Sequence, residues 1–146
     1  MSMLSTVAPW DLVAEGYSET TMKWFRGYID GALELAALQS CDDIIDVACG
    51  PGTLALAAAD KVASVKALDF SENMISMLRK GMADSGVTNI EPCKGDGQDL
   101  PYGDESFDAA FSIFGLMYSG PRQRIHRTLP NPETGRPRLH HKLGAG

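Results

Sequence analysis

Two carboxylates and a glycine turn are the residues in this chain whose types and spacing best suit chemistry. The segment from Asp46 to Gly52 reads Asp-Val-Ala-Cys-Gly-Pro-Gly, and its small residues let a ligand approach the backbone closely. Asp69 follows Gly50 by 19 residues, and a carboxylate at the end of the next strand can accept both hydroxyl groups of a ribose. The pattern predicts a pocket for a ligand that contains a nucleoside.

The glycine turn alone is compatible with two classes of ligand. The residues from Gly50 to Ala55 also match the loose G-x-G-x-x-G/A pattern of dinucleotide-binding proteins. Asp46 favours the other class, because a carboxylate at the mouth of the loop would repel a pyrophosphate in a partly desolvated site. S-adenosylmethionine offers an ammonium group and a sulfonium in place of phosphates, so Asp46 suits its methionine end better.

Helices and strands that could position these residues follow from the hydrophobic pattern. Apolar residues spaced by three and four predict an amphipathic helix over about 18–38, with Trp24 and Tyr28 in its buried stripe. Short apolar strands at 44–47 and 65–70 flank an alanine-rich helix. Such a unit predicts two parallel strands joined by a helical crossover.

The next segment repeats the alternation of helix and strand. Ser71 is predicted to cap a helix that ends at Gly86, because serine and glycine favour these two positions. Further strands are predicted at 89–93 and 107–114. The alternation predicts an α/β sheet of the doubly wound, Rossmann-like kind.

Three segments in this order resemble class I S-adenosylmethionine-dependent methyltransferases, and most closely the small-molecule group called type 11 or UbiE-like. IIDVACGPG is similar to their first motif, ALDFSENMI to their second, and GDGQDLPYGDESFDAAFS to the stretch through their third and fourth strands. The likeness covers roughly residues 42–118. It implies S-adenosylmethionine as the cofactor and methyl transfer to a small molecule.

The resemblance also implies how the adenosine would be held. In that family an acidic residue after the third strand contacts the adenine amino group, which here is Asp96, with Gly97 and Gln98 beside it. The hydrophobic residue after the ribose-binding acid packs on the adenine ring. Phe70 occupies that position, and Met74 is the second candidate.

Three further positions complete the predicted cofactor site. Tyr17 resembles an N-terminal tyrosine that closes over the cofactor, although a core aromatic is an equally good interpretation. Ala48 replaces the usual first glycine of the loop. Cys49 is adjacent, but a nucleophilic thiol is disfavoured because residues 1–118 contain no histidine. The whole predicted set is Tyr17, Asp46, Ala48, Cys49, Gly50, Gly52, Asp69, Phe70, Met74, Asp96, Gly97 and Gln98.

The chemistry implied by the resemblance requires little from the protein beyond alignment of the reactants. Methyl transfer from a sulfonium is an in-line displacement, and no general base or other catalytic residue is identifiable. In such enzymes the N-terminal helix and the loop after the fourth strand, here near 114–118, help to form the acceptor pocket. Two alternatives stay open, a non-catalytic S-adenosylmethionine-binding module and a NAD-dependent Rossmann oxidoreductase.

Charge and composition limit the partners. Residues 1–118 hold 7 Lys and Arg against 18 Asp and Glu, whereas residues 119–146 hold 6 against 1. The acidic part disfavours nucleic acid, although the basic tail taken alone would suit it. No long apolar run or secretory signal is present, so we expect a cytoplasmic protein without a membrane span. The three cysteines lack the spacing of a metal site, and none is predicted.

The C-terminal segment 119–146 departs from the pattern of the family. A complete fold of this class has seven strands, but this segment is rich in proline and arginine and predicts irregular structure. Hypothetical codons for it, read one base later, can encode a helix, a Lys-Pro-Gly-Gly turn and a β-rich stretch. We therefore interpret the segment as an out-of-frame tail after the fourth strand, which would leave an uncovered sheet edge, possible self-association and impaired turnover.

These inferences divide the chain into three segments. The first, 1–40, is predicted to be a helical lid, and 41–118 is predicted to be the Rossmann-like cofactor-binding core. The third, 119–146, is the irregular tail. The fold class is therefore an incomplete α/β methyltransferase fold that contains strands one to four.

Overall fold

The computed structural model describes residues 6–16, 22–103, 106–113, 115, 125–130 and 137–141. Four helices and six strands lie within these ranges. In chain order they are α1 (Val7–Gly16), α2 (Met22–Ala36), β1 (Asp43–Val47), α3 (Thr53–Ala58), β2 (Ser64–Asp69), α4 (Glu72–Ser85), β3 (Ile90–Lys94), β4 (Ala109–Phe111), β5 (Ile125–Pro130) and β6 (Pro137–His141).

Strands β1 to β4 form one parallel sheet in the order β3-β2-β1-β4. Asp46 of β1 is paired with Ala67 of β2 on one side and with Phe111 of β4 on the other. The strand order reverses between β1 and β4, and ligands of such sheets bind beyond the carboxyl ends of the strands at this point. The predicted doubly wound α/β fold is therefore confirmed.

The two faces of the sheet bury different apolar sets because successive side chains of a strand point to opposite faces. One face packs against α2, α3 and α4, and the other packs against the segment between β3 and β4. The first set includes Ile29, Leu33, Ile44, Leu54, Ala58, Val65, Ala67, Ile75 and Leu78. The second includes Ile45, Val47 and Leu68, with Leu100, Tyr102 and Phe107 packed against them.

Helix α4 begins and ends where the sequence predicts. The hydroxyl of Ser71 accepts a hydrogen bond of 3.2 Å from the amide of Met74, which satisfies one of the free donors of the first turn. Gly86 has a φ of 69°, and its amide donates to the carbonyl of Met82. Both predicted caps are confirmed.

The predicted burial of Trp24 and Tyr28 is wrong. These side chains are 83% and 67% exposed, whereas Ile29 and Leu33 of the same helix are buried. A helix turns by about 100° per residue, so Ile29 and Leu33 lie on the face opposite Trp24. Apolar residues thus occur on both faces of α2, and only one face packs against the core. No separate helix was predicted at Val7–Gly16, although the segment 1–40 as a whole was predicted to be helical.

Two strands occur in the segment predicted to be irregular. Strands β5 and β6 pair antiparallel, with Ile125 opposite His141 and Arg127 opposite Leu139, and β6 lies close to β4 without joining its sheet. The backbones of two strands can pair although their side chains do not alternate between apolar and polar. The hydrophobic pattern of residues 119–146 therefore did not predict these strands. In the described parts of the chain no helix is long and apolar enough to cross a membrane.

Candidate functional site

The loop after β1 adopts a conformation that ordinary residues rarely take. Ala48, Gly50 and Gly52 have φ values of 56°, 57° and 84°, all in the left-handed region. The amide of Cys49 donates to the carbonyl of Leu68 over 3.0 Å, and the amide of Gly52 donates to the carbonyl of Cys49. The loop is thereby held beside the end of β2, as the glycine turn predicted.

The two glycines of the loop serve different needs. A Cβ atom on Gly52 would lie 2.2 Å from Cδ1 of Leu78, so a side chain at this position would require Leu78 of α4 to move. A Cβ atom on Gly50 would meet no described atom within 4 Å. Among the described residues the space in front of Gly50 is open, which is the arrangement that a ligand approaching the backbone requires.

Asp69 lies at the end of β2 and has both carboxylate oxygens fixed by backbone amides. Its Oδ2 accepts from the amide of Gly50 over 2.8 Å, and its Oδ1 accepts from the amide of Ser71 over 2.9 Å. Burial raises the pKa of Asp69, and these amide hydrogen bonds oppose that rise. The backbone of Phe70 adds a third hydrogen bond to this carboxylate, which keeps lone-pair capacity for a hydroxyl donor of a ligand.

Asp46, in β1, is 2% exposed, and its Oδ2 has no hydrogen-bond partner among the residues that the structure describes. Burial, followed by the negative charge of Asp69, raises the pKa of Asp46 to about 8, while a hydrogen bond from the backbone of Ala55 lowers it. A buried acceptor without a partner is costly and would gain from a cationic group.

The repulsion of a pyrophosphate expected from the sequence assumed that Asp46 is ionised, and the raised pKa of Asp46 changes this expectation. With a pKa of about 8 the neutral form exceeds the charged form roughly tenfold at pH 7. A neutral Asp46 repels a pyrophosphate less than expected. Discrimination between S-adenosylmethionine and a dinucleotide instead depends on how each ligand shifts the pKa of Asp46. A cationic ligand favours the ionised carboxylate, whereas an anionic ligand favours the neutral carboxyl group.

Asp96 lies in the turn after β3 and brings a third carboxylate to the same edge of the sheet. Its Oδ1 accepts from the amide of Gln98 over 2.8 Å, which fixes the turn. The amide of Gly95 donates to the carbonyl of Asp69, and a Cβ on Gly97 would lie 2.7 Å from the side chain of Val47. The turn is thus close to the ends of β1 and β2.

The two candidates for the adenine ring differ in accessibility. Phe70 is half-buried, whereas Met74 is 2% exposed and offers almost no free surface to a ligand. Phe70 is therefore the better placed of the two, and its role stays a prediction. Tyr17 lies outside the described residues, as does the segment 114–118 apart from Gly115.

The thiol of Cys49 is not activated. It is buried, and burial, together with the negative charges of Asp46 and Asp69, raises its pKa well above the ordinary value. Its Sγ donates to the carbonyl of Gly50 over 3.5 Å. A thiol that resists ionisation is a poor nucleophile, as the absence of a nearby histidine predicted.

Sequence reasoning missed one polar contact at the site, between α1 and the start of α4. The hydroxyl of the fully buried Ser71 donates to the carboxylate of Asp11, and Nδ2 of Asn73 donates to the carbonyl of Asp11 over 3.1 Å. The partners are about sixty residues apart. The bounds of α1 were not predicted within the helical segment 1–40, and no local signal pointed to Asp11.

Comparison with known proteins gives a consistent result. Residues 44–131 match the family described as a methyltransferase domain. The chain is 38% identical to the demethylmenaquinone methyltransferase of Bacillus velezensis over 90 residues, which are 60% of this chain and 39% of that protein. The Bacillus subtilis protein of the same name is 44% identical over 75 residues, which are 49% of this chain and 32% of that protein.

A solved structure supports the fold. A proposed S-adenosyl-L-methionine-dependent methyltransferase of Methanococcus maripaludis matches with a TM-score of 0.67 and 24% sequence identity. The match covers 76% of this chain and 53% of that one. This chain therefore spans well under two thirds of the length of the curated relatives and of this structure.

Proposed function

Because the chain belongs to the methyltransferase domain family, we propose that it binds S-adenosylmethionine at the carboxyl ends of β1, β2 and β3 and transfers the methyl group to a small molecule. In this proposal Asp69 accepts the ribose hydroxyls and Asp46 faces the cationic methionine end. Asp96 contacts the adenine amino group, and Phe70 packs on the adenine ring. Gly50 and Gly52 let the ligand lie against the backbone of the loop.

The observation that carries the proposal is the state of the Asp69 carboxylate. Its oxygens accept from the backbone amides of Gly50, Ser71 and Phe70, and lone-pair capacity remains for a donor from the ligand. The hydroxyl groups of a ribose are donors of this kind. The open space at Gly50 lies on the same loop.

The charge around the site supports a cationic ligand. Asp46 and Asp69 are both buried, and neither belongs to an ion pair between described residues. The ammonium and sulfonium groups of S-adenosylmethionine would supply the missing positive charge. A pyrophosphate would add negative charge beside the Asp69 carboxylate and would keep Asp46 protonated without a cationic partner, which disfavours the dinucleotide alternative.

The roles of the residues follow from this arrangement. S-adenosylmethionine, when bound, supplies a methyl group that passes to a nucleophilic atom of the acceptor as the bond from carbon to sulfur breaks. Asp69 and the glycine loop hold the ligand still, so that an acceptor can meet the methyl group in line. No described residue is assigned as a base, which is required only where the acceptor must lose a proton.

The relatives suggest which acceptor to test first. Two curated relatives are named demethylmenaquinone methyltransferases, so demethylmenaquinone is the first compound to offer to this chain. We propose no specific atom of the acceptor as the methylation site.

Calorimetric titration of the purified chain with S-adenosylmethionine tests the proposal, with NAD as the competing ligand and Asp69→Ala as the variant. Micromolar binding that the variant loses supports the cofactor site, and a methylated product detected by mass spectrometry supports the transfer. Binding without product would favour an S-adenosylmethionine-binding module. Preference for NAD would overturn the proposal.

A further inference from the structure

We infer that Asp11 is a positioning residue of the cofactor site, which fastens α1 to the start of α4 and thereby fixes the Asp69 carboxylate for the ribose hydroxyls. The inference rests on the proposed function, because it assigns to Asp69 the contact with the ribose. Asp11 itself touches no ligand in this proposal and acts through Ser71.

Ser71 links the two carboxylates. Its amide donates to Oδ1 of Asp69 over 2.9 Å, and its hydroxyl donates to Oδ1 of Asp11. The same hydroxyl accepts from the amide of Met74, and the Ser71 carbonyl accepts from the amide of Ile75. Every polar group of this residue is engaged, and it is fully buried, so a displacement of its hydroxyl would also move its amide.

The link extends from Asp69 to the glycine loop. The other oxygen of Asp69 accepts from the amide of Gly50. A continuous series of hydrogen bonds therefore joins α1, the cap of α4, the proposed ribose acceptor and the loop. Buried polar networks of this kind fix the orientation of their members when every member is satisfied.

Helix α1 is joined to the start of α4 by polar contacts as well as by partly buried side chains. None of its side chains that the structure describes is fully buried, and Leu12 and Val13 are exposed. The two polar contacts of Asp11, from Ser71 and from Asn73, fasten α1 to the first turn of α4. Loss of the Asp11 carboxylate would loosen both the helix and the cap.

The negative charge of Asp11 also repels that of Asp69, and the experiment must distinguish this repulsion from the positioning effect. Asp11 contributes to the raised pKa of Asp69, after burial as the main cause. The substitution Asp11→Asn removes this repulsion and also replaces the charge-assisted hydrogen bond from Ser71 by a weaker, neutral one. A change in affinity for a single ligand could come from either the lost repulsion or the lost positioning of Asp69. The test therefore compares two ligands, one with and one without the 2′-hydroxyl of the ribose.

The experiment is a thermodynamic cycle with S-adenosylhomocysteine and its 2′-deoxy analogue, titrated into the wild-type chain and the Asp11→Asn variant. We expect the variant to bind S-adenosylhomocysteine about three- to tenfold more weakly. We expect the affinity of the variant for the deoxy analogue to change less than about twofold, because that ligand lacks one of the hydroxyls proposed to donate to Asp69. An equal loss for both ligands, or no loss for either, overturns the inference.

Asp30→Asn is the matched control. Asp30 lies on the surface of α2, paired with Arg26 at 3.5 Å, and the same isosteric change there should alter neither affinity. Thermal unfolding of each unliganded variant shows whether it folds. If Asp11→Asn does not fold, Ser71→Ala replaces it, since it removes the hydroxyl that donates to Asp11 and keeps the amide that donates to Asp69. A folded Ser71→Ala chain with unchanged affinities would then overturn the inference.

The two proposals fail in different ways. If the wild-type chain binds neither ligand, the cofactor site is wrong and the role of Asp11 falls with it. A different result would contradict only the role of Asp11. In that case the wild-type chain binds S-adenosylhomocysteine and Asp69→Ala abolishes binding, but Asp11→Asn changes the affinities for S-adenosylhomocysteine and its 2′-deoxy analogue equally or not at all.

Discussion

The Asp69 carboxylate accepts a hydrogen bond of 2.8 Å from the amide of Gly50, 19 residues earlier in the chain. The residue proposed to bind the ribose is thus also the residue that holds the glycine loop to the end of β2. Ligand binding and the local stability of the loop therefore depend on the same side chain. A substitution at this position should affect both.

We expect Asp69→Asn to lower the free energy of unfolding by about 1–3 kcal/mol and to weaken S-adenosylmethionine binding by about tenfold or more. An amide side chain has one oxygen acceptor, so its NH₂ group would face the amide of either Gly50 or Ser71. Urea denaturation and calorimetric titration measure the two effects. The control Asp60→Asn, at an exposed site paired with Lys61, should change neither the free energy of unfolding nor the affinity. If Asp69→Asn bound S-adenosylmethionine as tightly as the wild-type chain does, the assignment of Asp69 as the ribose acceptor would be contradicted.

The features that local sequence patterns could predict are confirmed. The family, the Rossmann-like fold class and S-adenosylmethionine as its cofactor agree with the methyltransferase comparisons. The strand β1 and the caps Ser71 and Gly86 lie where periodicity and capping preferences placed them, because both depend on residues close in sequence. The three-segment division of the chain and the residue roles stay predictions.

The features that the sequence could not reveal depend on distant residues. Asp11 meets Ser71 only after α1 has docked, and no local pattern records that contact. The exposure of Trp24 depends on which of two apolar faces of α2 packs against α3. The raised pKa of Asp46 results from its burial in β1 and from the charge of Asp69 on the neighbouring strand. Each of these is a tertiary effect.

The raised pKa of Asp46 predicts how the stability of the unliganded chain varies with pH. The folded pKa is about 8 and the ordinary value is 3.8, so between these values the folded state holds a proton that the unfolded state has lost. Stability from this group is therefore lost as pH rises from about 4 to 8, by at most about 1.4 kcal/mol per pH unit. Urea denaturation at pH 5 and pH 8 measures the slope.

The variant Asp46→Asn isolates this contribution because an amide does not titrate in that range. The difference in unfolding free energy between the wild-type chain and the variant should become less favourable to the wild type at higher pH. Parallel stability profiles for the two proteins would show that Asp46 ionises in the folded state as it does in the unfolded one.

Binding of the cationic ligand should release the proton from Asp46. Near pH 7 the unliganded carboxyl is mostly neutral, and a nearby ammonium or sulfonium favours its ionised form. We expect release of about one proton per S-adenosylmethionine bound, measured by calorimetry in buffers with different ionisation enthalpies. S-adenosylhomocysteine lacks the sulfonium charge and should release fewer protons. A binding enthalpy that is independent of the buffer would rule out this coupling.

The left-handed conformation of Ala48 predicts that glycine would be more stable there. Its φ is 56°, a region that costs a residue with a Cβ roughly 1–2 kcal/mol. Glycine removes that cost but gains freedom in the unfolded chain, so Ala48→Gly should stabilise the protein by about 0.5–1 kcal/mol. Ala37→Gly, at an exposed position with a φ of 49°, is the matched control and should stabilise similarly. A destabilised Ala48→Gly chain would show that its Cβ makes a contact worth more than the strain.

The burial of Cys49 predicts the order in which the three thiols react. Cys41 is exposed and Cys93 is partly buried, whereas Cys49 is buried and its pKa is raised well above the ordinary value by burial and by Asp46 and Asp69. The thiolate is the reactive form, so a maleimide at pH 7.5 (roughly one unit below the free thiol pKa) should label Cys41 first and Cys49 only after denaturant is added. Mass spectrometry of the digested protein identifies the labelled residue. Rapid labelling of Cys49 in the folded chain would contradict its enclosed position and reopen a nucleophilic role beside the cofactor.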